Sequence, residues 1–264
     1  MRYAPAHRLL PPLFLVPPVG VGGLCYAPLV RHLGPDWPAI VLRPPGVEYD
    51  LGPQARVEDL AARYVAQVRE AQPEGPILVG GWSTGGVLAF ETARQLLAQN
   101  FHIPLIFLLD SFLPRLGPMP PPRRPEWPLR LFARQLALEV HGPAPLPVLV
   151  QEVLRKGKEA QLLPADMSAD QLLRTAQDFA AQLRAVRQYD PAPGTEKILL
   201  FRVSSSLESR AEPLQGWDGV ASEVGLRVVP GTHYTMLRAP QVAVLAEEMC
   251  ACAQVIVWTV PDSL

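Results

Sequence analysis

Residues 76–86 read PILVGGWSTGG. A short apolar run reaches a glycine pair, and Gly81-Trp82-Ser83-Thr84-Gly85 then matches the G-x-S-x-G spacing of a nucleophile elbow. In such an elbow a strand turns sharply into a helix, the turn residue is held in a strained conformation, and a Cβ beside it would collide with the turn. Gly81 and Gly85 supply that clearance and leave Ser83 exposed at the strand tip. The helix that must follow is legible in residues 87–100, VLAFETARQLLAQN, where apolar residues recur at helical spacing and Asn100 suits a left-handed cap. The five-residue pattern alone is a common string and would fit a glycine-rich turn with an ordinary serine. Strand before and helix after give it meaning.

A serine hydroxyl is a weak nucleophile at neutral pH, so Ser83 needs a base and the base needs an orienting group. The chain has five histidines. His233 follows a strand pattern, Leu226 to Val229, and a Pro-Gly turn, and it precedes a helix pattern starting near Ala239. Catalytic histidines of α/β hydrolases occupy this place, on the loop after the last strand. His7, His32, His102 and His141 fall on the amino-terminal arm, a helix end, a loop before a strand and a proline-rich stretch, where solvated or capping roles suffice. With chain order serine, acid, histidine, the acid lies between positions 84 and 232. Asp110 closes IPLIFLLD (103–110), a buried-strand pattern, and its carboxylate would emerge at the same sheet edge as Ser83. Many α/β hydrolases place the acid after the following strand instead, here KILLFRV at 197–203. That strand runs into three serines, and the carboxylates beyond it, Glu208 and Glu212, lie in a polar loop. Asp110 is therefore preferred, Glu208 comes second and Asp218 third; helix capping is the structural alternative for Asp110.

An oxyanion hole takes one N–H from the residue after the nucleophile and one from the loop after the first central strand. Thr84 supplies the first by position. The second falls in LFLVPPVGVGGLCYAPLVRHL (13–33), where a strand breaks at Pro17-Pro18. Proline carries no N–H, so Val19 is the first possible donor, with Gly20 as the fallback. The glycines at 20, 22 and 23 do not make a phosphate loop: the Lys-Ser/Thr pair and the G-x-G-x-x-G spacing are both missing.

Four stretches, PPVGVGGLCYAPL (17–29), GWSTGGVLAFETARQLLAQN (81–100), LIFLLDSF (105–112) and GTHYTML (231–237), together resemble the thioesterase domains of nonribosomal peptide synthetase and polyketide synthase assembly lines. The resemblance spans about positions 13–250. It implies an α/β-hydrolase fold and a serine that is acylated by a peptidyl or polyketide chain. It also implies an acid directly after the strand that follows the nucleophile helix, which supports Asp110. Ser83, Asp110 and His233 match the triad of that family, and Val19 and Thr84 match its oxyanion positions. WSTGG is closer to terminal, product-releasing members than to stand-alone editing members, whose elbow more often reads HSMG. Pro17-Pro18 replaces the His-Pro pair common in the first motif, and the tail VIVWTVPDSL (255–264) has no counterpart.

Composition bounds the remaining choices. The chain has 264 residues, 48% of hydrophobic type, which suits one α/β core. With 24 basic and 25 acidic residues there is no global field to draw it to nucleic acid or an anionic membrane. The three cysteines do not make a disulfide framework, and Cys250 and Cys252 read as small residues on the last helix and not as a metal pair. Prolines interrupt the apolar stretch in residues 1–19 too often for a signal peptide, and no run is long enough to span a membrane. A cytoplasmic enzyme with no metal and no bound cofactor is expected.

Strand and helix patterns alternate, which predicts a mostly parallel, doubly wound sheet. Strands are expected near 13–16, 39–42, 76–80, 104–109, 197–203 and 226–229, and helices near 24–33, 56–71, 85–99 and 239–253. The whole chain, 1–264, reads as one domain. Residues 111–196 are too long for one crossover; they open with LPRLGPMPPPRRPEWP (113–128) and give helix patterns near 129–140, 147–160 and 168–189. An insertion at the sheet edge that carries the triad is where this fold places a lid, although it could also be a packed decoration of the core. It carries Arg115, Arg123, Arg124, Arg130, Arg134, Arg155, Lys156 and Lys158 against few carboxylates. Such a basic face would suit the acidic surface and pantetheine phosphate of an acyl or peptidyl carrier protein. The expected activity is release of an acyl, peptidyl or polyketide chain from the carrier phosphopantetheine through an acyl-enzyme, by hydrolysis or macrocyclisation. An editing thioesterase or carboxylesterase, and more remotely a non-catalytic binding protein on the same fold, are the alternatives. The natural substrate and the oligomeric state are not legible.

Overall fold

The structure is a computed structural model and describes residues 10–44, 55–113, 124–140, 142–207 and 213–259. Six parallel strands form one sheet in the order β2-β1-β3-β4-β5-β6. They are β1 (Leu13–Val16), β2 (Ala39–Val41), β3 (Leu78–Trp82), β4 (Ile106–Leu109), β5 (Lys197–Val203) and β6 (Glu223–Val229). Parallel strands covered on both faces need continuous apolar runs, and β1, β3 and β4 are buried at every position. Alternate residues serve the two faces. Phe14 and Val16 join one core with Ile106, Leu108, Ile198 and Leu200, while Leu13 and Leu15 join the other with Phe107, Leu109, Leu199 and Phe201.

Helices α2 (Val57–Ala71) and α3 (Thr84–Leu97) cover the first face. A 3-10 turn (Gly23–Tyr26) leads into α1 (Ala27–Leu33), which covers the second face together with the last helix. That helix, α8 (Gln241–Thr259), follows a single turn α7 (Ser204–Leu207) in chain order and runs beyond the expected end near 253, because the next helix breaker is Pro261.

The chain lays β2 on one side of β1 and β3 on the other, so β1 and β3 flank the point where strand order reverses. Successive helices leave this point on opposite faces and open a crevice at the carboxyl ends, where ligands bind in open α/β sheets. Val16 and Gly81 form the last pair between β1 and β3. Beyond them the fully buried Tyr26 bridges the two strands: its hydroxyl donates to the Val16 carbonyl at 2.7 Å and accepts from the Trp82 N–H at 2.8 Å.

Three helices intervene between β4 and β5: α4 (Trp127–Gln135), α5 (Leu146–Glu159) and α6 (Ala169–Gln188). A capping box starts α6, with Ser168 Oγ accepting from the Gln171 N–H at 3.2 Å and Gln171 Oε1 accepting from the Ser168 N–H at 2.7 Å. The α6 end is tied to the nucleophile helix. Tyr189 donates from its hydroxyl to Glu91 Oε2 at 2.5 Å, and Arg94 meets Glu196 at 3.1 Å. Leu129, Phe132, Phe179 and Val186 extend the first core, so the insertion packs on the sheet's helical layer.

Candidate active site

β3 delivers Ser83 into the crevice. Its backbone sits at φ 56°, ψ −126°, the left-handed side of φ that costs a non-glycine residue about 1–3 kcal/mol. Neighbouring backbone holds it there: the Ser83 N–H donates to the Leu109 carbonyl, and the Gly86 N–H donates to the Ser83 carbonyl, both at 3.0 Å. The two motif glycines serve different contacts. A Cβ on Gly81 would run into the Gly85 carbonyl, so Gly81 lets the elbow close on itself. A Cβ on Gly85 would lie 2.5 Å from the Val16 oxygen, so Gly85 lets α3 begin against the end of β1.

Asp110, at the tip of β4, also has a positive φ, 43°, and it is buried. Its N–H donates to the Phe201 carbonyl at 2.7 Å, which carries the β4–β5 ladder one residue past the strand. The chain beyond it is braced by the segment before β6. The Leu113 N–H donates to the Gln215 carbonyl at 3.0 Å, and the indole N–H of the buried Trp217 donates to the Ser111 carbonyl at 2.9 Å.

His233 rides on a turn after β6 in which the Thr235 and Met236 N–H groups both donate to the Thr232 carbonyl at 3.1 Å. Met236 and Leu237 are buried in the second core and anchor the turn. The imidazole leans on Trp82, the residue before Ser83, with ring centroids 5.1 Å apart.

The three side chains meet. His233 Nδ1 is 2.7 Å from Asp110 Oδ2, and His233 Nε2 is 3.1 Å from Ser83 Oγ. An ionised carboxylate only accepts, so Nδ1 carries the proton and Nε2 is left with a lone pair for the serine hydroxyl. Asp218, the third-ranked acid, is exposed on the 3-10 turn Trp217–Gly219 and makes no such bond. Glu208 and Glu212 lie outside the described residues.

The loop after β1 brings the Val19 N–H to the nucleophile helix, where it donates to Thr84 Oγ1 at 3.0 Å. Val19 is thus beside the residue that follows Ser83, as an oxyanion donor must be. Thr84 is the first residue of α3, so its own N–H has no acceptor within the helix. Burial pushes the nearby Cys25 thiol up to about 12, which keeps it protonated and unreactive at neutral pH. Among the described residues, no group of three or more His, Cys, Asp or Glu could hold a metal ion, and no helix is long and apolar enough to cross a membrane.

Sequence reasoning singled out the polar members of this arrangement and missed its supports. Tyr26 and Trp217 gave no signal and Trp82 entered only as part of the elbow motif, because each acts through one hydroxyl, ring face or indole N–H placed by the fold. Gly86 did carry one: it extends the motif to a third glycine, and a Cβ there would run into Ser111 Oγ.

A family model described as a thioesterase domain matches residues 11–250. The non-reducing polyketide synthase terA of Aspergillus terreus is 29% identical over 238 residues, which is 87% of this chain and 11% of that protein. The chain therefore spans about a tenth of the length of that relative. Among solved structures, a four-domain nonribosomal peptide synthetase bound to AMP and glycine is similar with TM-score 0.77 and 25% identity, over 95% of this chain and 20% of that one. The NocB thioesterase domain in covalent complex with a fluorophosphonate nocardicin G analog shares the fold, with TM-score 0.67 and 23% identity over 91% of this chain and 93% of that one.

Proposed function

The chain belongs to the thioesterase-domain family, and from that premise we propose that it releases an acyl, peptidyl or polyketide chain from the phosphopantetheine thioester of a carrier protein, with Ser83 as nucleophile. The observation that carries this reading is the unbroken relay Asp110–His233–Ser83, with bonds of 2.7 and 3.1 Å, beside an N–H that reaches the first residue of the nucleophile helix.

In the first half-reaction Ser83 Oγ attacks the thioester carbon while His233 Nε2 takes the hydroxyl proton. Asp110 holds the imidazole in the productive tautomer and stabilises its cation. The tetrahedral oxyanion accepts from the Thr84 N–H and from the Val19 N–H, which exchanges the threonine oxygen for the stronger, charged acceptor. The C–S bond then breaks, the departing sulfur takes the proton from His233, and an ester on Ser83 remains. In the second half-reaction water, or a hydroxyl or amine within the chain, gives its proton to His233 and attacks that ester; the bond from the acyl carbon to Ser83 Oγ then breaks, His233 returns the proton to Oγ, and an acid or a macrocycle leaves. Thioesters resonate less than esters, so acylation is the easier half. The helices between β4 and β5 act as the lid that decides which nucleophile reaches the ester.

The test is incubation with a panel of acyl and peptidyl thioesters of a pantetheine mimic, with products and intact protein read by mass. Expected are a released acid or macrocycle and an acyl adduct on Ser83. In Ser83→Ala both vanish while the fold persists, because alanine also fits the elbow; unchanged release by that variant would remove Ser83 from the mechanism.

A further inference from the structure

Beside the oxyanion loop lies a cavity of about 260 Å³. Val19 and Gly20 of the oxyanion loop line it together with Tyr64 of α2 and with Thr175, Asp178, Phe179 and Gln182 of α6. Neither Ser83 nor His233 is among its walls, so it receives something attached to the reacting carbon and not the reacting atoms themselves. Pockets that bury a whole small ligand run from about 300 to 1,000 Å³. A smaller space suits one unit of a longer chain. A pantetheine arm fits less well, since it stays tethered to its carrier and needs a passage open at both ends.

The lining gives the chemistry. Positions 175, 178, 179 and 182 follow the i, i+3, i+4, i+7 spacing of one helix face, and three of the four are polar. A pocket for a plain alkyl chain has no use for such a face. Tyr64 supplies the independent observation. It is 2% exposed yet still lines the cavity; burial alone pushes its phenol pKa upward. A side chain held this firmly at a cavity wall can give a polar ligand group a hydrogen bond at little ordering cost. The cavity is also coupled to the chemistry, because a Cβ on Gly20 would run into the Phe179 ring: α6 and the oxyanion loop touch.

We propose that this cavity is the recognition pocket for the acyl unit next to the scissile thioester, and that through Tyr64 and Gln182 it selects units bearing a hydroxyl or amide over alkyl units of equal length. The proposal rests on the thioesterase reading above. It adds the class of chain that the site prefers and the residues that enforce the preference.

The experiment uses paired thioesters of one pantetheine mimic, a 3-hydroxyacyl or N-acyl-aminoacyl unit against an alkyl unit of matched length, and the corresponding non-cleavable thioethers. Wild type should favour the polar member in kcat/KM. Tyr64→Phe and Gln182→Leu, both close in shape, should each lower the polar-to-alkyl ratio about tenfold, by the loss of one hydrogen bond. Thioether binding to Ser83→Ala and to its double variants should show the same change of ratio. Wild type favouring the alkyl member, or ratios within about twofold of wild type in both variants, would overturn the proposal. So would an effect that follows shortening of the thiol arm instead of the acyl unit. If wild type cleaves none of the thioesters, the thioesterase reading fails, while the thioether ratios still decide the pocket.

Discussion

Ser83 and Asp110 hold positive φ values of 56° and 43° without being glycine. Each conformation costs about 1–3 kcal/mol, and each aims a side chain from a strand tip toward the same imidazole. Strain is thus stored at two of the three residues proposed to react. The role proposed for Asp110 is sensitive to tautomer: Asp110→Asn keeps shape and packing but offers the Nδ1 atom a donor, so Nε2 gains the proton and loses its basicity. Turnover should fall about three to four orders of magnitude while the midpoint of denaturation moves little, whereas Asp218→Asn should leave turnover near wild type; a large loss in the second and not the first would reassign the acid. Thr84 allows a second test. Its hydroxyl holds the Val19 N–H in the empty hole, so Thr84→Val releases that loop while Thr84→Ser retains the bond. Phosphonylation by a fluorophosphonate should slow about 10- to 100-fold in the valine variant, below the usual loss for removing a donor outright, and recover in the serine variant.

At the scale of elements, the elbow depends on how closely α3 can approach β1. A methyl carbon placed on Gly85 would meet backbone, the Val16 oxygen at 2.5 Å and the Pro17 carbonyl carbon at 2.9 Å, and backbone cannot rotate aside as a side chain can. Gly85→Ala should therefore destabilise the protein by about 1–3 kcal/mol, as overpacking does, and slow serine labelling further than the stability loss explains. Denaturant midpoints and labelling rates measured on one preparation separate the two effects. The sheet shows where local pattern and outcome part. The strand expected at 76–80 is observed at Leu78–Trp82, because Gly80 and Gly81, poor strand formers alone, are paired on both sides by β1 and β4. The strand expected at 226–229 begins at Glu223, since β5 pairs all seven residues despite a glycine and a glutamate among them. Helix ends were more legible: Asn100 takes φ 65°, as a left-handed cap requires, with the Phe101 N–H donating to the Leu96 carbonyl at 3.1 Å.

At the scale of the molecule, the inserted segment carries the basic residues expected to face a carrier. Arg155 pairs with Glu159 at 2.7 Å and Lys156 with Glu152 at 2.8 Å, so these two bases are neutralised locally. Arg124 is different: its side chain is 74% exposed and 3.9 Å from Glu126, a loose contact. Arg115 and Arg123 lie outside the described residues. If this edge steers an acidic carrier, Arg124→Glu should raise KM for a carrier-bound substrate several-fold at low salt, with the effect shrinking near about 0.5 M salt, where the Debye length falls to roughly 4–5 Å. Turnover of a small soluble thioester should not follow it. Equal losses on both substrates would assign Arg124 to the insertion's own packing.

The sequence by itself determined the elbow, the order of the candidate serine, acid and histidine, and the α/β alternation, because each rests on local chemistry: glycine clearance, strand-tip carboxylates and hydrophobic period. Val19 also came from local chemistry, since two prolines before it have no N–H to offer. Tertiary structure alone decided which partners support these groups. Tyr26 bridging β1 to β3, Trp82 against His233, Trp217 bonded to the chain after Asp110 and Tyr64 lining one cavity with α6 join segments far apart in the chain, where no spacing rule reaches. Such contacts depend on the order in which the strands are laid side by side, a property of the whole sheet and of no single segment.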